Sequence, residues 1–206
     1  MVRRLFLPGV SGDPEFWRPV AERLPQDGDS VRLGWPGLGV QPSDPAIASF
    51  DDLTALAARA VVGPCDVLAQ SMGGIVAMRL ALRHPERVRR IVLVATSGGL
   101  DVAGLGAHDW RPDYQRNFPT APAWVLRDRP DHSAELHRIA QPTLLLWGDA
   151  DPISPLAIGQ LLAAVLPNAT LVVVPGGDHM LARDRAPDVT GPIADFLGRS
   201  PRTTTP

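Results

Sequence analysis

Short apolar runs alternate along the chain with longer segments whose apolar residues recur at helical spacing. This is the pattern of a parallel sheet covered by helices on both faces. Residues 4–7 read as a first strand, ending in the loop Pro8-Gly9-Val10-Ser11-Gly12. Residues 15–24 read as a helix with Phe16, Val20 and Leu24 on one face. A second short strand is expected over 30–33. Then comes an Ala-rich helix over 50–62, with Ser49 or Asp51 as its cap. The clearest unit is a buried strand over 65–69, a tight turn Gln70-Ser71-Met72-Gly73, and a helix over 74–83. Residues 88–95, 142–147 and 170–174 complete a set of about six strands, with helices over 155–166 and 186–197.

Between Gly98 and Gln141 the alternation stops. The stretch carries Trp110, Tyr114, Phe118 and Trp124 among several prolines and charges, with no clear strand. So long a connection is functional or disordered, and its aromatic content predicts an ordered insertion packed over something, a short lid at about 99–141. The organisation expected is one α/β domain over 1–198 containing this lid, followed by a disordered polar tail over 199–206.

Composition narrows the classes. At 206 residues the chain has room for one substantial core. A net charge of -2 leaves no electrostatic footprint for nucleic acid. No window reaches the roughly 18 apolar residues of a membrane span, and residues 1–7 are too short an apolar stretch for a signal peptide. A cytoplasmic protein is the default expectation. The single cysteine, Cys65, excludes an internal disulfide and reads as a small core residue rather than a nucleophile. The five histidines show no metal-ligand spacing on a defined element, so no metal is expected.

The chemical signal is Ala69-Gln70-Ser71-Met72-Gly73-Gly74, set between a buried strand and an apolar helix. A serine on so sharp a turn points its hydroxyl out at the carboxyl end of the sheet. The small residues two before and two after it let strand and helix backbones approach closely. In an acyl-transfer site the backbone N–H of Met72, directly after the serine, is one expected oxyanion donor.

On these residues the chain resembles the α/β-hydrolase superfamily, in particular its cofactor-independent esterases, C–C hydrolases and small thioesterases. The resemblance runs from about Leu5 to Leu197 and implies the family's order of nucleophile, acid and base. It assigns the acid to Asp151, in Gly148-Asp149-Ala150-Asp151-Pro152, leaving Asp149 as a turn-capping residue. It assigns the base to His179, in Pro175-Gly176-Gly177-Asp178-His179, after the last apolar strand. An imidazole with an unperturbed pKa near 6.5 can take and return a proton at neutral pH, and a carboxylate holds it in the productive tautomer. The second oxyanion donor implied is the N–H of Val10; where the family has His-Gly before it, this chain has Pro8-Gly9. Against the family pattern the N-terminal hairpin is missing and the lid is short. Trp17 and His84 read as structural, and His108, His132 and His137 as surface residues of the lid.

The expected function is a serine hydrolase acting on an ester or thioester of a small, largely apolar acyl substrate, without a cofactor. Trp35, Leu38, Trp110, Tyr114, Phe118 and Trp124 are the candidates to line its pocket. Two alternatives stand beside it. One is a non-hydrolytic enzyme of the same fold (a cyclase, lyase or C–C bond-cleaving enzyme of specialised metabolism). The other is a binding module that has kept the scaffold.

Overall fold

The computed structural model describes residues 3–61 and 63–198. Six strands form one sheet: β1 (Arg3–Leu7), β2 (Ser30–Arg32), β3 (Cys65–Gln70), β4 (Val88–Val94), β5 (Thr143–Gly148) and β6 (Ala169–Val174). Their spatial order is β2-β1-β3-β4-β5-β6, and every neighbouring pair runs parallel. The period-two alternation of these strands sorts their side chains into two apolar layers. Leu5, Leu7, Val67, Ala69, Ile91, Leu93, Leu145 and Trp147 face one layer. Phe6, Leu68, Val92, Val94, Leu144 and Leu146 face the other.

Helices cover both layers. The first packs under α2 (Phe50–Ala60), α3 (Met72–Arg83) and α6 (Leu156–Val165). The second packs under α1 (Arg18–Ala21), α7 (Leu181–Asp184) and α8 (Ala186–Gly198). Between β4 and β5 lie two short helices, α4 (Arg111–Asn117) and α5 (Ala123–Arg127), and a 3-10 turn at Leu136–Arg138. None of the described helices is long and apolar enough to cross a membrane.

Several expected elements come out differently. The helix over 15–24 is instead a 3-10 turn, Pro14–Trp17, running into α1. The cause is Pro19, which has no N–H to give to the Glu15 carbonyl; Arg18 bonds that carbonyl in the 3-10 pattern. Helix α2 is capped by Ser49, whose Oγ accepts from the Asp52 N–H, and not by Asp51. The expected end of that helix at Val62 falls outside the described residues, as does the expected tail over 199–206. Helix α3 starts at Met72, two residues before the expected start, because Ser71 itself occupies the N-cap position.

Candidate active site

Ser71 follows β3, the strand flanked by β1 and β4 in the middle of the sheet. Its φ of 51° and ψ of -123° lie where a side chain other than glycine is strained, by about 1–3 kcal/mol. Three hydrogen bonds hold it there. Its N–H donates to the Val94 carbonyl at 3.0 Å, and its own carbonyl accepts from the Gly74 N–H at 2.9 Å and the Thr96 hydroxyl at 2.5 Å. The glycines after it are geometric requirements. A Cβ on Gly73 would come within 2.5 Å of the Pro8 carbonyl oxygen, and one on Gly74 within 2.3 Å of Thr96 Oγ1.

His179 and Asp151 hang from the loops after β6 and β5. His179 Nε2 lies 3.0 Å from Ser71 Oγ, and Nδ1 lies 2.8 Å from Asp151 Oδ2. A carboxylate only accepts, so Nδ1 carries the proton and Nε2 is left to accept from the serine hydroxyl. The Asp151 side chain is fully buried, and its other oxygen accepts from the N–H groups of Ile153 and Ser154 at 2.8 and 2.9 Å. The two loops are locked together. Gly148 and Gly177 touch so closely that a Cβ on Gly148 would sit 1.9 Å from the Gly177 carbonyl oxygen, and that oxygen accepts from the Ala150 N–H. Asp149 reaches away from the histidine ring and accepts from the Gly176 N–H at 2.6 Å. Gln70, beside the serine, is buried and donates to the backbone carbonyl of His179 at 3.1 Å.

The loop carrying Val10 passes against the serine, since a Cβ on Gly9 would stand 3.1 Å from Ser71 Cβ. Two indoles brace this loop from below. Trp17 Nε1 donates to the Leu7 carbonyl at 2.9 Å, and Trp35 Nε1 to the Pro8 carbonyl at 2.8 Å. Both tryptophans are completely buried. They supply the fixing contacts in a chain where Pro8 has no imidazole to offer.

A cavity of about 650 Å³ opens over Ser71, Met72 and His179, and the insertion between β4 and β5 builds its outer wall. Phe50, Ile75, Val102, Val125, Ile153 and Ile158 give it apolar surface. Of the six residues expected to line a pocket, only Trp110 does so. Trp35 and Leu38 are fully buried in the core below. Tyr114 turns inward, and its hydroxyl accepts from the Gly39 N–H at 2.9 Å. Phe118 packs at a tilt against Tyr114 with ring centres 4.9 Å apart, and Trp124 packs edge-on against Phe50. These aromatics hold the insertion onto the body instead of facing a ligand. His108 lines the cavity, whereas His132 is buried and accepts from Arg79 Nε at 2.9 Å, which corrects its expected place on the surface. Burial first, and then the Arg79 charge, holds the His132 imidazole below its ordinary pKa.

Comparison with known proteins agrees with this architecture. The sequence profile of the family described as "alpha/beta hydrolase fold" matches residues 5–133, and one described as "TAP-like protein" matches residues 111–205. The chain belongs to the α/β hydrolase family and is an enzyme of the hydrolase class. It is 29% identical to a poly(3-hydroxyalkanoate) depolymerase of Ectopseudomonas oleovorans, over 94% of this chain and 83% of that one. It is 30% identical to a pimeloyl-[acyl-carrier protein] methyl ester esterase of Nitrosomonas europaea, over 79% of this chain and 82% of the other. A thermophilic esterase from Thermogutta terrifontis shares the fold with a TM-score of 0.77 at 22% identity, covering 96% of this chain and 89% of that structure.

Proposed function

We propose that the chain is a serine hydrolase that cleaves an ester or thioester with a largely apolar acyl body, through Ser71, His179 and Asp151. The observation carrying this reading is the single imidazole joined to Ser71 Oγ at 3.0 Å and to Asp151 Oδ2 at 2.8 Å, at the wall of the cavity. His179 takes the hydroxyl proton as Ser71 Oγ attacks the acyl carbonyl, and Asp151 steadies the imidazolium that forms. The N–H groups of Met72 and Val10 receive the developing oxyanion. His179 then returns the proton to the leaving alcohol or thiol. Water attacks the acyl-Ser71 ester by the same route in reverse roles and frees the acid.

The relatives named as esterase and depolymerase support ester cleavage, and the apolar cavity wall supports an apolar acyl body. The test is an activated phosphonate probe together with a p-nitrophenyl ester series. Wild type is expected to be labelled at Ser71 and to turn the esters over, and Ser71→Ala to do neither. No labelling of wild type, with ester turnover no faster than that of Ser71→Ala, would overturn the reading in favour of a non-hydrolytic or binding role.

A further inference from the structure

We propose that Arg111 and Arg129 form an anion-binding end of the Ser71 cavity, so that the substrate is an ester whose apolar body carries a carboxylate remote from the scissile bond. The inference rests on the hydrolase reading above for its reaction, and on separate residues for its binding.

Both arginines belong to the insertion, and both line the same cavity as Ser71 and His179. Arg111 is held in place on two sides. Its guanidinium lies over the Trp110 ring at 4.8 Å, and Nη1 contacts Asp109 Oδ1 at 3.0 Å. Its Nε is buried with no hydrogen-bond partner, which leaves the group one bond short behind the cavity wall. Arg129 uses Nη1 on the backbone carbonyls of Leu126 and Asp128 at 2.7 and 3.1 Å, and no carboxylate among the described residues pairs with it. Burial, and then the neighbouring Arg111 charge, pull Arg129 below its ordinary pKa against the opposing pull of Asp109 and Asp128, so a further anion there would favour its charged form.

The carboxylates of the same wall are already engaged. Asp109 pairs with Arg111, Asp128 faces Arg127 Nε at 3.3 Å, and Asp101 caps the Ala103 N–H at 2.9 Å. Asp109 is in direct contact with Arg111, whereas Arg129 has no ion pair of its own among the described residues, so one guanidinium is left for a ligand, which suits a single carboxylate. Arginine's planar fork also suits a carboxylate.

The experiment compares mono-p-nitrophenyl esters of straight-chain diacids with neutral p-nitrophenyl alkanoates of matched length. Wild type is expected to prefer the diacid esters at one or more chain lengths, and added salt to erode that preference. Arg129→Gln and Arg111→Gln are each expected to lower the ratio of diacid to neutral kcat/KM about five- to tenfold, chiefly through KM. A ratio unchanged in Arg129→Gln, or no preference for any diacid ester in wild type, overturns the proposal. Calorimetric binding of the same esters to Ser71→Ala keeps this separate from the reaction. Tighter binding of the anionic ester, lost when Arg129→Gln is added, upholds the anion site even if Ser71 proves not to be the nucleophile; equal binding of both esters overturns it.

Discussion

The indole N–H of Trp35 donates to the carbonyl of Pro8 at 2.8 Å, joining a fully buried core residue to the loop that presses on the candidate nucleophile. Trp35→Phe keeps the ring and removes the donor, stranding a buried carbonyl. The expected cost is about 1–3 kcal/mol of stability. Ester turnover should fall in kcat more than it rises in KM, because the loop and not the cavity wall is loosened. Denaturant melts and steady-state kinetics check both. A variant as stable and active as wild type would show the brace to be dispensable.

Gly73 makes a companion test from the other side of that loop. A methyl group there would stand 2.5 Å from the Pro8 oxygen and 2.7 Å from the Leu7 oxygen, both backbone atoms that cannot swing aside. Gly73→Ala should therefore push helix and loop apart, costing about 1–3 kcal/mol and about a hundredfold in kcat. Thermal melting and turnover of a p-nitrophenyl ester would measure it.

Asp149 and Asp151 are two residues apart and have different partners. Asp151→Asn would favour the wrong imidazole tautomer and is expected to lower kcat about ten-thousandfold with the fold intact. Asp149→Asn keeps an oxygen that can accept from the Gly176 N–H and loses only the charge of that bond, so its kcat should drop by about tenfold or less. Parallel kinetics on the two variants decide which carboxylate serves the imidazole.

His132 gives stability a pH dependence with a definite sign. Its folded pKa lies below the ordinary 6.5, first through burial and then through Arg79, against the weaker pull of Glu135 and Asp131, with Arg83 adding least. The unfolded chain thus binds the proton more readily than the folded one. The stabilisation is complete above pH 6.5 and is lost as the pH falls from there through the folded value. His132→Gln can still accept from Arg79 but cannot titrate, so its melting temperature should fall less than wild type's between pH 7 and pH 5. Parallel melts across that range would show it.

Cys65 is completely buried, and burial pushes its thiol up to about 12. Native protein should resist thiol reagents at neutral pH and react with one equivalent after unfolding in urea. Rapid labelling of the native protein would contradict the burial.

Ser71 was legible because everything that defines it is contiguous: an apolar strand, a sharp turn with Gly73 and Gly74, and an apolar helix. His179 and Asp151 lie far along the chain, and only the resemblance and the order of elements pointed to them. The pocket lining was the least legible part. An aromatic residue in an insertion can face a ligand or fasten the insertion down, and periodicity does not separate the two. Tyr114 and Trp124 do the fastening. The short helices of this stretch were not legible either. Pro112 and Pro122 stand at the starts of α4 and α5, where a missing N–H costs nothing. Arg111 and Arg129 gave no signal among the 20 arginines of a chain that has no lysine.

Ser71 is mounted on β3, whereas its two partners ride on β5 and β6, with β4 between. The close approach of Gly148 to Gly177 packs the loops of those two partners against each other. The serine's side and the partners' side meet at the junction of β4 with β5, where Ile91 to Val94 register with Thr143 to Leu146, and Gln70 ties across it to the His179 carbonyl. A slip there of little more than an ångström would separate hydroxyl from imidazole and leave imidazole and carboxylate joined. The contact of hydroxyl with imidazole therefore depends on the register of two strands that carry neither group.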